Sequence, residues 1–80
     1  MAQRTLTSMN AKQLEFAVFV IENVAAKLGA SGDAAYRALT DQSDILRAYV
    51  IPSYDALHTQ GKSYIVDDVL RVMSEQGVVL

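Results

Sequence analysis

Apolar residues recur at three- and four-residue spacing along most of this chain, which is the period of an amphipathic helix. The first such stretch predicts a helix from about Met9 to Leu28, with Ser8 as its N-cap and Gly29 as its left-handed stop. Its expected inward stripe is Leu14, Ala17, Val18, Ile21, Val24, Ala25 and Leu28. Three more apolar residues fall outside that stripe, Phe16, Phe19 and Val20. Such a helix is either central and covered on several sides, or has one face against another chain.

Shorter apolar periods follow, separated by polar turns. Ser31 is expected to cap a helix over about residues 32–39, and Asp41 or Ser43 to cap the next one. That next helix has an apolar stripe of Ile45, Leu46, Tyr49 and Val50.

Pro52 has no backbone N–H and disfavours helical geometry in the residue before it. The helix therefore either ends near Val50 and restarts with Ser53 as a cap, or continues as one longer, kinked helix. In both cases the residues that follow are helical, and Tyr54 and Leu57 point inward.

The last helix is expected over about residues 63–76, with Ser63 as its cap. On its polar side, Arg71 has i, i+4 spacing to both Asp67 and Glu75, so two ion pairs are expected there. Its broad apolar face consists of Ile65, Val66, Val69, Leu70, Val72 and Met73.

The pattern shows no convincing alternating strand and no repeat. We therefore predict an all-α fold, a single small bundle of four to five helices in one domain over residues 1–80. Residues 1–7 are expected to be a loose leader. The apolar tail 78–80 is expected to fold back on the bundle, or to serve as a handle for a partner.

Composition adds an argument for a partner. Of the 80 residues, 51% are apolar, whereas a domain of this size buries only roughly 60% of its unfolded surface. Some apolar side chains are therefore expected to meet another protein or a second copy of the chain.

Charge and motifs exclude several classes of function. The seven lysines and arginines are spread singly and the net charge is −2, so no nucleic-acid partner is expected. The longest apolar run, residues 16–21, is far shorter than a membrane span, so a cytoplasmic location is expected. There is no cysteine, phosphate loop, nucleophile motif or zinc spacing. We expect no enzyme, no cofactor and no metal.

One alternative is a DNA-binding regulator that uses residues 31–51 as a helix-turn-helix. The spacing of the two short helices is nearly right, but the second opens with Asp44 and offers only Arg47, which is poor chemistry for reading bases. A homo-oligomer with a structural role is a further alternative.

His58 is the only histidine. It is expected to bond the last carbonyl groups of its helix or to fix the turn to Gly61, and an acid, base or metal role is the less favoured alternative. Asp67 and Asp68 diverge by about 100° on a helix, so they are expected to be solvated rather than a metal site. The four tyrosines are expected at the edge of the core, with some of them on a docking surface.

The segment Leu57-His58-Thr59-Gln60-Gly61 carries a family resemblance, together with residues 15–23 and Ser31-Gly32-Asp33. Over about residues 12–70 the chain resembles a family of short bacterial proteins of unknown function. Members of that family are often encoded beside a protein that resembles ADP-ribosyltransferases. The resemblance implies a small binding partner or antidote for such an enzyme. We predict that its partner-binding face consists of Tyr54, Leu57, His58, Gln60 and Tyr64.

Overall fold

A computed structural model describes residues 9–80, which form five helices and contain no strand. The prediction of a small all-α bundle is confirmed. The expected leader and the Ser8 cap lie outside the described residues. The elements in chain order are α1 (Ala11–Leu28), α2 (Gly32–Thr40), a π-helix (Leu46–Val50), α3 (Tyr54–Leu57) and α4 (Lys62–Glu75).

Helix α1 begins at Ala11, two residues after the predicted start at Met9, with Asn10 as its N-cap. The cap is a reciprocal pair of hydrogen bonds. The Asn10 side-chain oxygen accepts from the backbone N–H of Gln13 (2.7 Å), and the Gln13 side chain accepts from the backbone N–H of Asn10 (3.1 Å). At the other end Gly29 adopts φ 67°, and its N–H bonds the carbonyl groups of Ala25 and Ala26. The predicted stop at Gly29 is therefore confirmed.

The core is built around α1, which packs against both α2 and α4. Ala17, Val20 and Val24 are fully buried along its length. The other helices do not cover α1 completely. Three residues of its predicted inward stripe are exposed, namely Leu14, Val18 and Leu28. Helix α1 is thus central, with part of its apolar circumference facing solvent.

Serine caps position the next two elements. Ser31 Oγ accepts from the backbone N–H of Ala34 (3.0 Å), as predicted. Ser43 Oγ donates to the carbonyl of Ala38 (2.8 Å) and accepts from the N–H of Ile45 (3.3 Å). Ser43 therefore joins the end of α2 to the first residue of the following helical segment.

The chain passes Pro52 in the first of the two expected ways, because one helical segment ends at Val50 and a new helix begins after Ser53. The N–H of Ile51 donates to the carbonyl of Leu46, five residues earlier (3.0 Å), and Ser53 N–H donates to the carbonyl of Tyr49 (3.0 Å). Ile51 keeps helical angles (φ −67°, ψ −46°), and the Ser53 side chain makes no capping bond. Ser53 thus occupies the predicted N-cap position of α3 without a capping bond. A widened turn leads into it, with no N–H available from the proline.

Helix α4 begins one residue earlier than expected. Its N-cap is Gly61, with extended angles (φ −70°, ψ 159°), and Ser63 already lies within the first turn. The predicted Ser63 cap is therefore wrong. At the far end the N–H of Val78 bonds the carbonyl of Met73 (2.8 Å), and Val78 is half-buried while Val79 is 80% exposed.

Candidate functional site

The clearest candidate site is a shallow cleft of about 280 Å³ where α1 meets the turn after α3. We call it the aromatic cleft because four of its eight lining residues carry aromatic rings. It is lined by Lys12, Glu15, Phe16, Phe19, Tyr54, His58, Gln60 and Ile65.

The rings of the cleft pack against one another in a fixed order. Tyr54 meets Phe16 edge to face, with centroids 5.4 Å apart and planes at 82°. Its own face is stacked on His58, with centroids 4.3 Å apart and planes at 4°. The buried Phe16 thereby anchors the half-buried Tyr54, and Tyr54 in turn supports the exposed imidazole.

The imidazole of His58 is also held by the backbone. Its Nδ1 lies 2.7 Å from the carbonyl oxygen of Tyr54. A carbonyl oxygen only accepts, so Nδ1 carries the proton and donates. The prediction that His58 bonds a terminal carbonyl of its helix is confirmed.

The five predicted partner-binding residues do not lie on one surface. Tyr54, His58 and Gln60 line the aromatic cleft. Leu57 is only 5% exposed and belongs to the core beneath it. Tyr64 is 57% exposed and lines a different depression, with Asp67, Asp68 and Arg71. Their role in binding a partner stays a prediction.

Sequence reasoning missed the α1 side of the cleft. Lys12, Glu15, Phe16 and Phe19 line it together, and their three- and four-residue spacing places them along one side of a helix. That spacing is the sequence signal that could have placed these four residues on one surface. It could not be connected to Tyr54 without knowing how α3 crosses α1.

A polar network joins the π-helix to α4. The Tyr49 hydroxyl donates to Asp68, and Arg71 bonds both Asp68 (2.9 Å) and Glu75 (2.9 Å). The predicted Arg71–Glu75 pair is confirmed, whereas the Asp67–Arg71 pair is wrong: Asp68, three residues before Arg71 and held by Tyr49, takes its place. The expectation that Asp68 is solvated is also wrong, because its side chain is only 14% exposed.

The network shifts the pKa values of its members. Partial burial acts to raise the pKa of Asp68, but the hydrogen bonds from Tyr49 and Arg71 and the charge of Arg71 outweigh it, so the pKa lies below its ordinary value. The same hydrogen bond raises the pKa of Tyr49, with burial and the charge of Asp68 adding to it. Both shifts favour the charged carboxylate beside a neutral phenol.

An apolar groove of about 400 Å³ lies at the C-terminal end of α4, whereas the aromatic cleft lies near its N-terminal end. The groove is bounded by the end of α1 and the chain after Gly77. Three of the large exposed apolar side chains of residues 9–80 line it, namely Leu28, Val79 and Leu80. Leu70, Met73 and Val78 form its floor. The predicted tail 78–80 thus folds back through Val78 while its last two residues face solvent.

In the alternative of a DNA-binding helix-turn-helix, the second helix would be the recognition helix, but it is not a regular α-helix in the structure. Leu46–Val50 is π-helical, with Leu46 and Val50 buried. The guanidinium of Arg47 bonds Asp44 through both Nε (3.2 Å) and Nη2 (2.5 Å). That pairing occupies the one arginine the segment offers, and DNA binding stays an untested alternative.

Residues 9–80 contain neither a cluster of metal-ligating side chains nor a membrane-spanning helix. Within residues 9–80, no three acidic, histidine or cysteine side chains are grouped closely enough to hold a metal ion. No helix in the same range has the length and hydrophobicity to cross a membrane.

The fold and cleft define a small all-α bundle that presents an aromatic depression at its surface. Over residues 15–76 the sequence matches the family described as "Protein of unknown function (DUF3791)". The match covers more than half of the chain, so the chain belongs to this family. No curated protein and no solved structure matches it.

Proposed function

We propose that this chain is a non-enzymatic protein-binding module that neutralises an ADP-ribosyltransferase-like partner by covering part of its surface. The observation that carries the proposal is the grouping of Tyr54, His58 and Gln60 with two phenylalanines around one cleft. Partly buried aromatic rings in a concave, pre-packed site are typical of interface anchors. The kind of partner comes from the resemblance described above.

The mechanism is occlusion. The chain supplies rigid rings that need little ordering on binding, because Phe16 and the Tyr54 carbonyl already hold them. A partner surface seated on the aromatic cleft would be shielded from its own substrate. No group of the bundle has to react for this to work.

The test uses a purified ADP-ribosyltransferase-like protein of the kind encoded beside members of this family. Calorimetry measures binding, and the transfer of ADP-ribose from NAD measures neutralisation. We expect Tyr54→Ala to weaken binding at least about tenfold and to restore transfer. Arg37→Ala is the matched control, because Arg37 is exposed and pairs only with Asp33 on the same helix.

Variants at the other predicted residues test how far the proposed binding face extends. Tyr64→Ala shows whether the binding face extends beyond the cleft, because Tyr64 lies outside it. Leu57 is unsuitable for a charged substitution, since it is buried and the variant would test folding instead. If folded Tyr54→Ala and His58→Ala variants bind and neutralise as the native chain does, the proposed face is wrong.

A second candidate function is self-association with a structural role. It is favoured by the apolar groove, where Leu28, Val79 and Leu80 expose apolar surface side by side. Light scattering should then give twice the monomer mass, and Val79→Asp should return it to the monomer. A monomer mass at millimolar concentration rejects this candidate.

A further inference from the structure

Among the described residues, the His58 ring makes a hydrogen bond through Nδ1 only, which leaves Nε2 to a ligand. Because Nδ1 donates to the Tyr54 carbonyl, the neutral imidazole has its lone pair on Nε2, at the other side of the ring. His58 is exposed and lines the aromatic cleft. A group entering the cleft therefore meets an acceptor, and a donor is its complement.

The acceptor is held in place before anything binds. The imidazole is fixed both by the carbonyl of Tyr54 and by stacking on the Tyr54 ring at 4.3 Å, and that ring rests on buried Phe16. A pre-positioned group loses little conformational entropy when it forms a bond. The hydrogen bond at Nε2 can then discriminate between ligands.

Charge at the rim argues for a neutral ligand. Lys12 and Glu15 line the same cleft and carry opposite charges, so their formal charges cancel. A site with no net charge favours neither an arginine nor a carboxylate or phosphate. Aromatic walls, in contrast, favour an aromatic ring beyond its apolar area alone.

We infer that the aromatic cleft receives one neutral aromatic side chain that carries a hydrogen-bond donor, a tyrosine or tryptophan of the partner protein, with the donor bonded to Nε2 of His58. This inference rests on the proposed function and names the chemistry that the cleft selects. The ring of the ligand packs against Phe19 and Tyr54, and its O–H or N–H reaches the imidazole.

The test compares two probes that differ by a single hydroxyl, N-acetyl-tyrosinamide and N-acetyl-phenylalaninamide. Each is titrated at pH 8, where an imidazole is neutral, and the amide and ring NMR signals of the cleft residues are followed. We expect both probes to shift those signals, with the tyrosine probe binding about two- to tenfold more tightly, the range of one net hydrogen bond.

His58→Phe is the deciding variant, because it keeps a ring against Tyr54 and removes Nε2. The tyrosine probe should then bind this variant only as well as the phenylalanine probe binds it. Circular dichroism confirms that the variant is folded.

Three results would overturn the inference. They are equal affinity of the two probes for the native chain, a tyrosine preference that survives His58→Phe, and failure of both probes to shift the cleft signals. The proposed function is judged separately, by the effect of Tyr54→Ala on the whole partner protein. A cleft that binds the partner without preferring a donor overturns this inference alone.

Discussion

The hydroxyl of Tyr49, in the π-helix, donates a hydrogen bond to the carboxylate of Asp68, 19 residues later on α4. This bond connects the irregular part of the bundle to its last helix. A hydrogen bond to a charged acceptor contributes more than one between neutral groups. It is therefore a specific target for measuring what holds the π-helix in place.

Replacing Tyr49 with phenylalanine removes the hydroxyl and leaves the ring. We expect the free energy of unfolding to fall by about 1–2 kcal/mol, because Asp68 loses a donor but keeps Arg71. Urea denaturation measures the change. Tyr64→Phe is the control, since the Tyr64 side chain is 57% exposed, and it should change stability little. If the two substitutions lower the free energy of unfolding by the same amount, the hydrogen bond of the Tyr49 hydroxyl adds no net stability.

The lowered pKa of Asp68 predicts a pH dependence of stability. A carboxylate whose pKa is lower in the folded state stabilises the fold above its unfolded value, about 3.9, and this contribution is lost as the pH falls through the folded value. Urea midpoints from pH 6 down to pH 3 should therefore fall more steeply for the native chain than for Asp68→Asn. Parallel curves would contradict the assignment of this step to Asp68.

Two leucines provide a matched test of the core. Leu39 is fully buried, whereas Leu14 on α1 is 38% exposed. Leu39→Ala should cost about 2–5 kcal/mol of unfolding free energy, through lost transfer energy and the cavity it leaves. Leu14→Ala should cost far less, because solvent already reaches the side chain. Thermal denaturation of both variants checks the order, and a reversed order would mean that Leu14 is covered in solution.

Two glycines separate backbone strain from helix propensity. Gly29 has φ 67°, a region that side-chain-bearing residues rarely adopt, so Gly29→Ala should destabilise the chain by about 1 kcal/mol. Gly32 begins α2 with ordinary geometry, and an added Cβ would have no atom within 4 Å. Gly32→Ala should therefore be neutral or slightly stabilising. Chemical denaturation of the pair measures both effects.

Local signals in the sequence predicted the ends of elements where one residue decides the geometry. Gly29 and Ser31 are such residues, and both behave as expected. The start of α1 is also encoded locally, in the capping pair of Asn10 and Gln13, although Ser8 is a residue type that also favours an N-cap. The predicted Ser63 cap is wrong because, in sequence alone, a serine within the first turn of a helix resembles a serine at its N-cap.

Tertiary relationships could not be predicted in the same way. The apolar pattern of α1 does not reveal that Leu14 and Val18 stay exposed, because that depends on where α2 and α4 cross the helix. The choice of Asp68 over Asp67 as the partner of Arg71 depends on Tyr49, which comes from a distant segment. Three of the five predicted partner-binding residues, Tyr54, His58 and Gln60, line one wall of the cleft, and its other wall belongs to α1.

The turn closed by Ile51 N–H and the Leu46 carbonyl encloses one residue more than an α turn does. In a continuous helix, one extra residue in a turn shifts the residues that follow by about 100° around the axis. Beyond this turn, Leu57 lies in the core and the Tyr54 ring packs on Phe16. The segment should tolerate exchanges of its exposed side chains, whereas deleting a single residue from it would misalign both contacts at once.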